Sequence, residues 1–169
     1  MCSRCCKAGF FVPLTLEDFE QWFSSGRYDL VISAVELYGF EALKVGASSV
    51  YVVPKNRLGS CVYLSPDGRC TIHHQKPLVC RLFPLSYDLE EDAPTIHPWA
   101  RRNCLGLRLS SKFFDEEIEV ARRVALALKH MDSALPKIRA MREEAYKRLC
   151  STAAEALAIR QRLSYALCL

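Results

Sequence analysis

The sequence predicts an α+β fold: a small, irregular, cysteine-rich domain with a short β-hairpin over residues 1–110, then a C-terminal helical extension over 111–169. Three observations carry this. Seven of the nine cysteines fall in the first two-thirds of the 169 residues. A clear turn, Ser65-Pro66-Asp67-Gly68, separates two short strand-like runs. From Phe113 onward, apolar residues recur at three- and four-residue spacing, the period of a helix with one buried face.

Element by element, Thr15 is placed to cap a helix whose first turn carries Glu17 and Asp18. Leu16, Phe19, Trp22 and Phe23 give it an apolar face, and Gly26 is a natural stop. The run Leu30 to Tyr38 fits either a helix face or a strand. Val50 to Val53 reads as a strand ended by Pro54. Cys61 to Leu64 and Cys70 to Ile72 read as the two strands of the hairpin, with one cysteine on each. Pro77 and Pro84 bracket one or two helical turns that project Cys80 and Arg81. Tyr87 to Pro98 reads as an acidic, proline-bearing loop. Phe114 to Met131 is an amphipathic helix, with a break expected at Asp132-Ser133 and Pro136. Ile138, Met141, Ala145, Leu149, Ala156, Ile159, Leu163 and Leu167 then define a long helix or helix pair, suited to packing on the first domain or on a partner. Cys150 and Cys168, isolated in this stripe, read as small hydrophobes.

Composition narrows the function. Half the residues are hydrophobic, enough for a packed core. The net charge is only +4 and no run of Lys or Arg stands out, which argues against nucleic acid as the main partner. No apolar run approaches a membrane span, and Ala8 to Val12 is too short for a signal-peptide core. A cytoplasmic location is therefore expected. Thiols stay reduced there, so clustered cysteines favour metal or redox chemistry over disulfides, and an odd total of nine pairs poorly. Nothing resembles a nucleophile elbow, a phosphate-binding loop or a dinucleotide-binding glycine motif.

The cysteines themselves open as C-x2-C-C, Cys2, Cys5 and Cys6, and continue with Cys61, Cys70, Cys80 and Cys104. Two intervening residues let Cys2 and Cys5 converge on one ion. Cys6 is adjacent to Cys5, and neighbouring side chains diverge, so it is expected to serve a second metal, another vertex of a cluster or a supporting role. Structural zinc takes four ligands in a closed tetrahedron, and an iron–sulfur cluster takes four thiolates spread over a wider cage. Seven thiols exceed one such site, so either a second site exists or some cysteines are structural. His73 and His74 either add nitrogen ligands between Cys70 and Cys80 or form a surface pair. His97, beside Pro98, and His130, on a helix, are weaker candidates.

In order, the motifs are Cys2-x2-Cys5-Cys6, Val12-Pro13-Leu14-Thr15-Leu16-Glu17-Asp18, Cys61-x8-Cys70-Thr71-Ile72, Lys76-Pro77-x2-Cys80-Arg81-Leu82-Phe83-Pro84 and Cys104-x-Gly106. Together they resemble the YkgJ family of cysteine-cluster proteins, described as zinc- or iron-chelating domains, over about residues 1 to 106. The family's opening motif usually holds one more cysteine ahead of the C-x2-C-C. It also commonly has Tyr and Arg where this chain has His73 and Lys76; lysine keeps the charge but loses the bidentate fork. Some larger members are similar to flagellin lysine N-methylases.

The resemblance implies a metalloprotein holding a cysteine-ligated iron–sulfur cluster, 4Fe-4S, or alternatively zinc. At least four ligands would come from Cys2, Cys5, Cys6, Cys61, Cys70, Cys80 and Cys104. Arg81 is expected to hydrogen-bond cluster sulfur or balance thiolate charge, or else to pair with an acid of the 87–92 loop. Phe83 and Pro84 are expected to pack round the site. Two rival expectations stand beside this one: a zinc-stapled module whose C-terminal helices bind a protein partner, and a protein methylase or cluster-dependent modifying enzyme.

Overall fold

The computed structural model describes residues 3–105, 107 and 113–150, and the fold is mixed α and β. Cys2, Gly106, Cys168 and the stripe beyond Cys150 lie outside the described residues.

The helical elements begin with one turn, α1 (Arg4–Lys7), followed by α2 (Leu16–Ser24) and α3 (Tyr28–Ser33). Thr15 and Asp18 close a capping box at the start of α2: Asp18 Oδ2 accepts from the Thr15 backbone N–H at 2.8 Å, while Thr15 Oγ1 accepts from the Asp18 N–H at 3.4 Å. The ambiguous stretch divides at Ala34. Its first half is α3, and Val35–Tyr38 is a strand, β1. After the single turn α4 (Phe40–Leu43), β2 (Ser49–Val52) pairs antiparallel with β1, Val35 opposite Val52 and Tyr38 opposite Ser49. The far edge of β2 is bonded to the segment before α2: Leu14 N–H donates to Tyr51 O and Val53 N–H to Val12 O. All four residues of β2 are buried.

The expected hairpin at Cys61 and Cys70 is reduced to a tight reversal. The chain turns back at Ser65–Arg69, with Gly68 at φ 82°, but only single bridges form, Lys55 to Cys61 and Leu64 to Cys70. Cys61, Tyr63 and Cys70 pack only partly against the core and no residue from 55 to 71 is fully buried, so little apolar face is present to extend a ladder. Regular pairing appears instead at 85–96, the stretch expected to be a loop. There β3 (Leu85–Asp88) and β4 (Ala93–Ile96) form an antiparallel hairpin whose acidic residues occupy the turn. Between the two regions lie a 3₁₀ turn at His73–Gln75 and α5 (Leu78–Leu82), and α6 (Pro98–Asn103) follows β4.

The described part of the extension is α7 (Asp115–Lys129) and α8 (Met131–Leu149). The break falls at His130, and Pro136 sits inside α8, in its second turn, where it forfeits one helical hydrogen bond. α8 packs across α2, α3 and β2, and α7 packs on α5 and the β3–β4 hairpin. Met131, Leu135, Ile138 and Ala145 of α8 thereby join one core with Leu14, Phe19, Trp22, Leu30, Val31 and Tyr51. No described helix is long and apolar enough to cross a membrane.

Candidate metal centre

Four short segments meet beside that core. The α1 turn supplies Cys5 and Cys6, and the Cys6 carbonyl accepts from the Cys61 N–H at 2.8 Å, which fixes the 54–62 loop against it. Gly59, at φ 75°, lies so near that a Cβ there would stand 3.7 Å from the Gly9 Cα. The Ser65–Arg69 turn brings Cys70 back past Leu64, and a Cβ on Gly68 would meet Ser3 Oγ at 3.5 Å. Cys80 stands in α5, whose first N–H, on Leu78, donates to the buried Asp18 Oδ1 at 2.8 Å. Cys104 follows α6, and the Asn103 carbonyl accepts from Arg4 Nη1 at 3.3 Å.

The result is one cavity of about 300 Å³ into which Cys5, Cys6, Cys61, Cys70, Cys80 and Cys104 all face. Its wall is completed by apolar side chains, among them Ile72, Phe83, Pro84 and Trp99. A smaller hollow of about 40 Å³ adjoins it and shares Cys5, Cys6, Cys61 and Cys80. Phe10, Phe83, His97 and Trp99 stack on one another beside these spaces, the Phe10 and Phe83 rings 5.8 Å apart and Phe10 and Trp99 5.6 Å apart. Among the described residues, no three Cys, His, Asp or Glu side chains already converge closely enough to hold a metal ion; the sulfurs ring the space.

Residues 1–105 match the family described as "CxxCxxCC: Putative zinc- or iron-chelating domain". The chain belongs to the CxxCxxCC family. The match takes in every segment that lines the cavity, and it makes this a metal-binding domain of the zinc- or iron-chelating kind. No curated protein and no solved structure matches the chain.

The donor set of this CxxCxxCC domain fits a soft metal or a cluster. A hydrogen bond between the Cys5 and Cys6 sulfurs raises the Cys5 pKa, with burial adding to it, and lowers that of Cys6. Adjacent side chains on one helical turn thus meet at the same cavity instead of diverging. Burial, reinforced by the other thiols, pushes Cys80 up to about 12, and burial also raises Cys61. Cys5, Cys61 and Cys80 are thus disfavoured as bare thiolates, and a bound cation reverses that logic for them. Cys150 caps the end of α8 and does not line the cavity.

Arg81 departs from both of its expected roles. Its Nε donates to the Lys76 carbonyl at 2.9 Å and its Nη2 to Gln21 Oε1 at 2.7 Å, so it neither reaches the sulfurs nor pairs in the 87–92 turn. Cys80 lines the cavity and Arg81 does not, because adjacent residues of a helix lie about 100° apart around its axis. The cations at the cavities are Arg4, Lys55 and Lys76. Lys55 Nζ donates to the Ala8 carbonyl at 3.1 Å and lies 5.8 Å from the Phe10 ring centroid. His73 lines the cavity and His74 is exposed beside it, while the buried Nδ1 of His97 has no hydrogen-bond partner among the described residues.

Sequence reasoning missed Lys55, the ring cluster and the reach of Asp18. A capping box is legible in Thr15-x2-Asp18, but its link to Leu78 spans 60 residues and carries no local signal.

Proposed function

We propose that this domain holds a cysteine-ligated 4Fe-4S cluster. The single observation behind the reading is that six thiols from four segments ring one cavity of about 300 Å³ without converging on a point. A lone zinc draws four sulfurs to about 2.3 Å and leaves no room between them. A cubane keeps its thiolates on a wider cage. Cys5, Cys6, Cys61 and Cys80, which face both cavities, are the foremost ligands. Cys70, Cys104 and Cys2 are the remaining candidates. When bound, such a cluster supplies one-electron redox chemistry.

The chain's own residues would do the rest. Phe83, Trp99 and Ile72 exclude water from the sulfurs, and Lys55, Lys76 and Arg4 offset thiolate charge. Asp18 holds the start of α5 and hence the position of Cys80.

One observation favours zinc as a second reading: no residue of 55–71 is fully buried, and a purely structural metal would staple the segment. Anaerobic preparation followed by iron, sulfide and zinc analysis separates the two. The proposal expects a brown protein with iron and acid-labile sulfide in equal amounts, bleached in Cys80→Ser and unchanged in Cys150→Ser. A colourless protein with stoichiometric zinc and no sulfide overturns it.

A further inference from the structure

The modest net charge conceals a strong asymmetry. Segments 3–12, 54–84 and 97–105, which build the cysteine end, contain nine Lys or Arg and a single carboxylate, Asp67. Only Arg69 among the nine pairs with an acid, Asp67 at 3.3 Å. Elsewhere among the described residues eight of ten Lys or Arg are paired. Evolution of a soluble surface does not require such a split, because interspersed signs serve solubility equally well.

The metal's own charge does not account for the excess. Four thiolates around Zn²⁺ or around a doubly positive four-iron core leave a net charge of about −2, well short of balancing it. The cations also extend past the cavity. Arg4 and Lys7 on α1, Arg57 on the 54–62 loop, and Arg101 and Arg102 on α6 are exposed. Hydrogen bonds join these elements into one end of the molecule: Cys61 N–H donates to Cys6 O at 2.8 Å, and Arg4 Nη1 donates to the Asn103 carbonyl at 3.3 Å. Apolar side chains stand among the charges, with Leu58 88% exposed at the tip of its turn and Phe11 and Val62 also exposed.

We propose that the cysteine end docks a small acidic electron-carrier protein, one whose surface around its own cofactor is rich in Asp and Glu. Unpaired cations together with a few exposed apolar side chains on the same end have the composition of a transient protein interface. These cations sit on the segments that carry the cavity cysteines, so docking there brings a partner's cofactor toward the sulfurs; the electron-transfer purpose rests on the iron–sulfur reading while the docking does not. Single-stranded nucleic acid fits less well: the rings at this end, Phe10, Phe83 and Trp99, stack on one another and are half-buried rather than offered to bases.

The test measures binding of the full, metal-loaded chain to three probes at low and high salt: an acidic single-cluster ferredoxin, a single-stranded 12-nucleotide RNA and vesicles of anionic lipid. The ferredoxin is expected to bind at low salt, to weaken as salt rises, and to lose about tenfold in affinity to the triple variant K7E/R57E/R101E with metal content unchanged. Absence of ferredoxin binding at low salt, indifference to the triple variant, or tighter binding of RNA or vesicles overturns the proposal. A protein that carries only zinc yet binds ferredoxin as expected leaves the docking standing and removes the cluster. An iron–sulfur protein that ignores ferredoxin removes the docking alone.

Discussion

The helical body and the cysteine end of this molecule are held together by different means. The body, built from α2, α3, β2 and α8, surrounds fully buried Phe19, Trp22, Leu30, Val31, Met131 and Ile138, and its surface cations mostly find carboxylates. Between residues 55 and 71 the cysteine end packs only Cys61, Tyr63 and Cys70 partly against the core, relies on single bridges and tight turns, and leaves most of its cations unpaired. Hydrophobic burial suffices for the first. The second has less of that term, and metal coordination is a further interaction its residues are equipped to supply. Several hydrogen bonds cross between them: Asp18 accepts from Leu78 N–H at 2.8 Å, Trp22 Nε1 donates to Gln75 O at 2.7 Å, Arg81 Nη2 donates to Gln21 Oε1 at 2.7 Å, and Arg27 reaches Gln75 and Ser33 reaches Tyr63.

The contrast can be broken first from the body's side. Phe19 is fully buried between Trp22 and Tyr51, with ring centroids 6.0 and 5.3 Å away. Phe19→Ala is expected to cost about 3–5 kcal/mol in denaturant titrations, by nearly the same amount with and without metal. A loss that vanished on metal loading would mean that the metal, not the core, holds the body.

A smaller effect is expected at the crossing. In Asp18→Asn the carboxylate that accepts from Thr15 and Leu78 gives way to an amide that must turn a donor toward one of them. Thermal and chemical denaturation should register a loss of about 1–3 kcal/mol. Because α5 loses its anchor, metal affinity should fall as well; an unchanged affinity would show that the two regions are independent.

The least effect is the acid response of the body. Burial pushes the Glu36 pKa up, but hydrogen bonds from Arg139 at 2.6 Å, Ser49 at 2.7 Å and Tyr51 at 2.8 Å outweigh it and hold the group at about 2. The folded value lies below the ordinary 4.5, so this stabilisation is present above pH 4.5 and is lost as pH falls toward about 2. In metal-free protein, the Glu36→Gln variant should show a flatter stability profile across that window. An identical profile would place the acid sensitivity elsewhere.

The body was largely legible in the sequence because its signals are local. Thr15, the Leu16–Phe23 spacing and Gly26 announce α2, and the Phe114–Met131 stripe announces α7. The cysteine end was legible as chemistry but not as shape. The Ser65–Gly68 turn was readable, yet Cys61 and Tyr63 reach the core only partly, too little to extend pairing beyond single bridges. The 85–96 hairpin was obscured by its acidic turn and by Pro94, since its support comes from α7, distant in sequence. Arg81 was misplaced because adjacency to Cys80 in the chain says nothing about direction on a helical turn. The charge asymmetry was present in the sequence throughout, but the whole-chain net of +4 averages it away.

The central claim is that metal organises the cysteine end while the body stands on its own core. Amide hydrogen exchange on the metal-loaded protein, and again after chelation, tests it most directly. The account predicts that protection at residues 4–9 and 55–72 collapses on metal removal while α2, α3, β2 and α8 keep theirs. Loss of protection throughout the chain, or no change at the cysteine end, would contradict it.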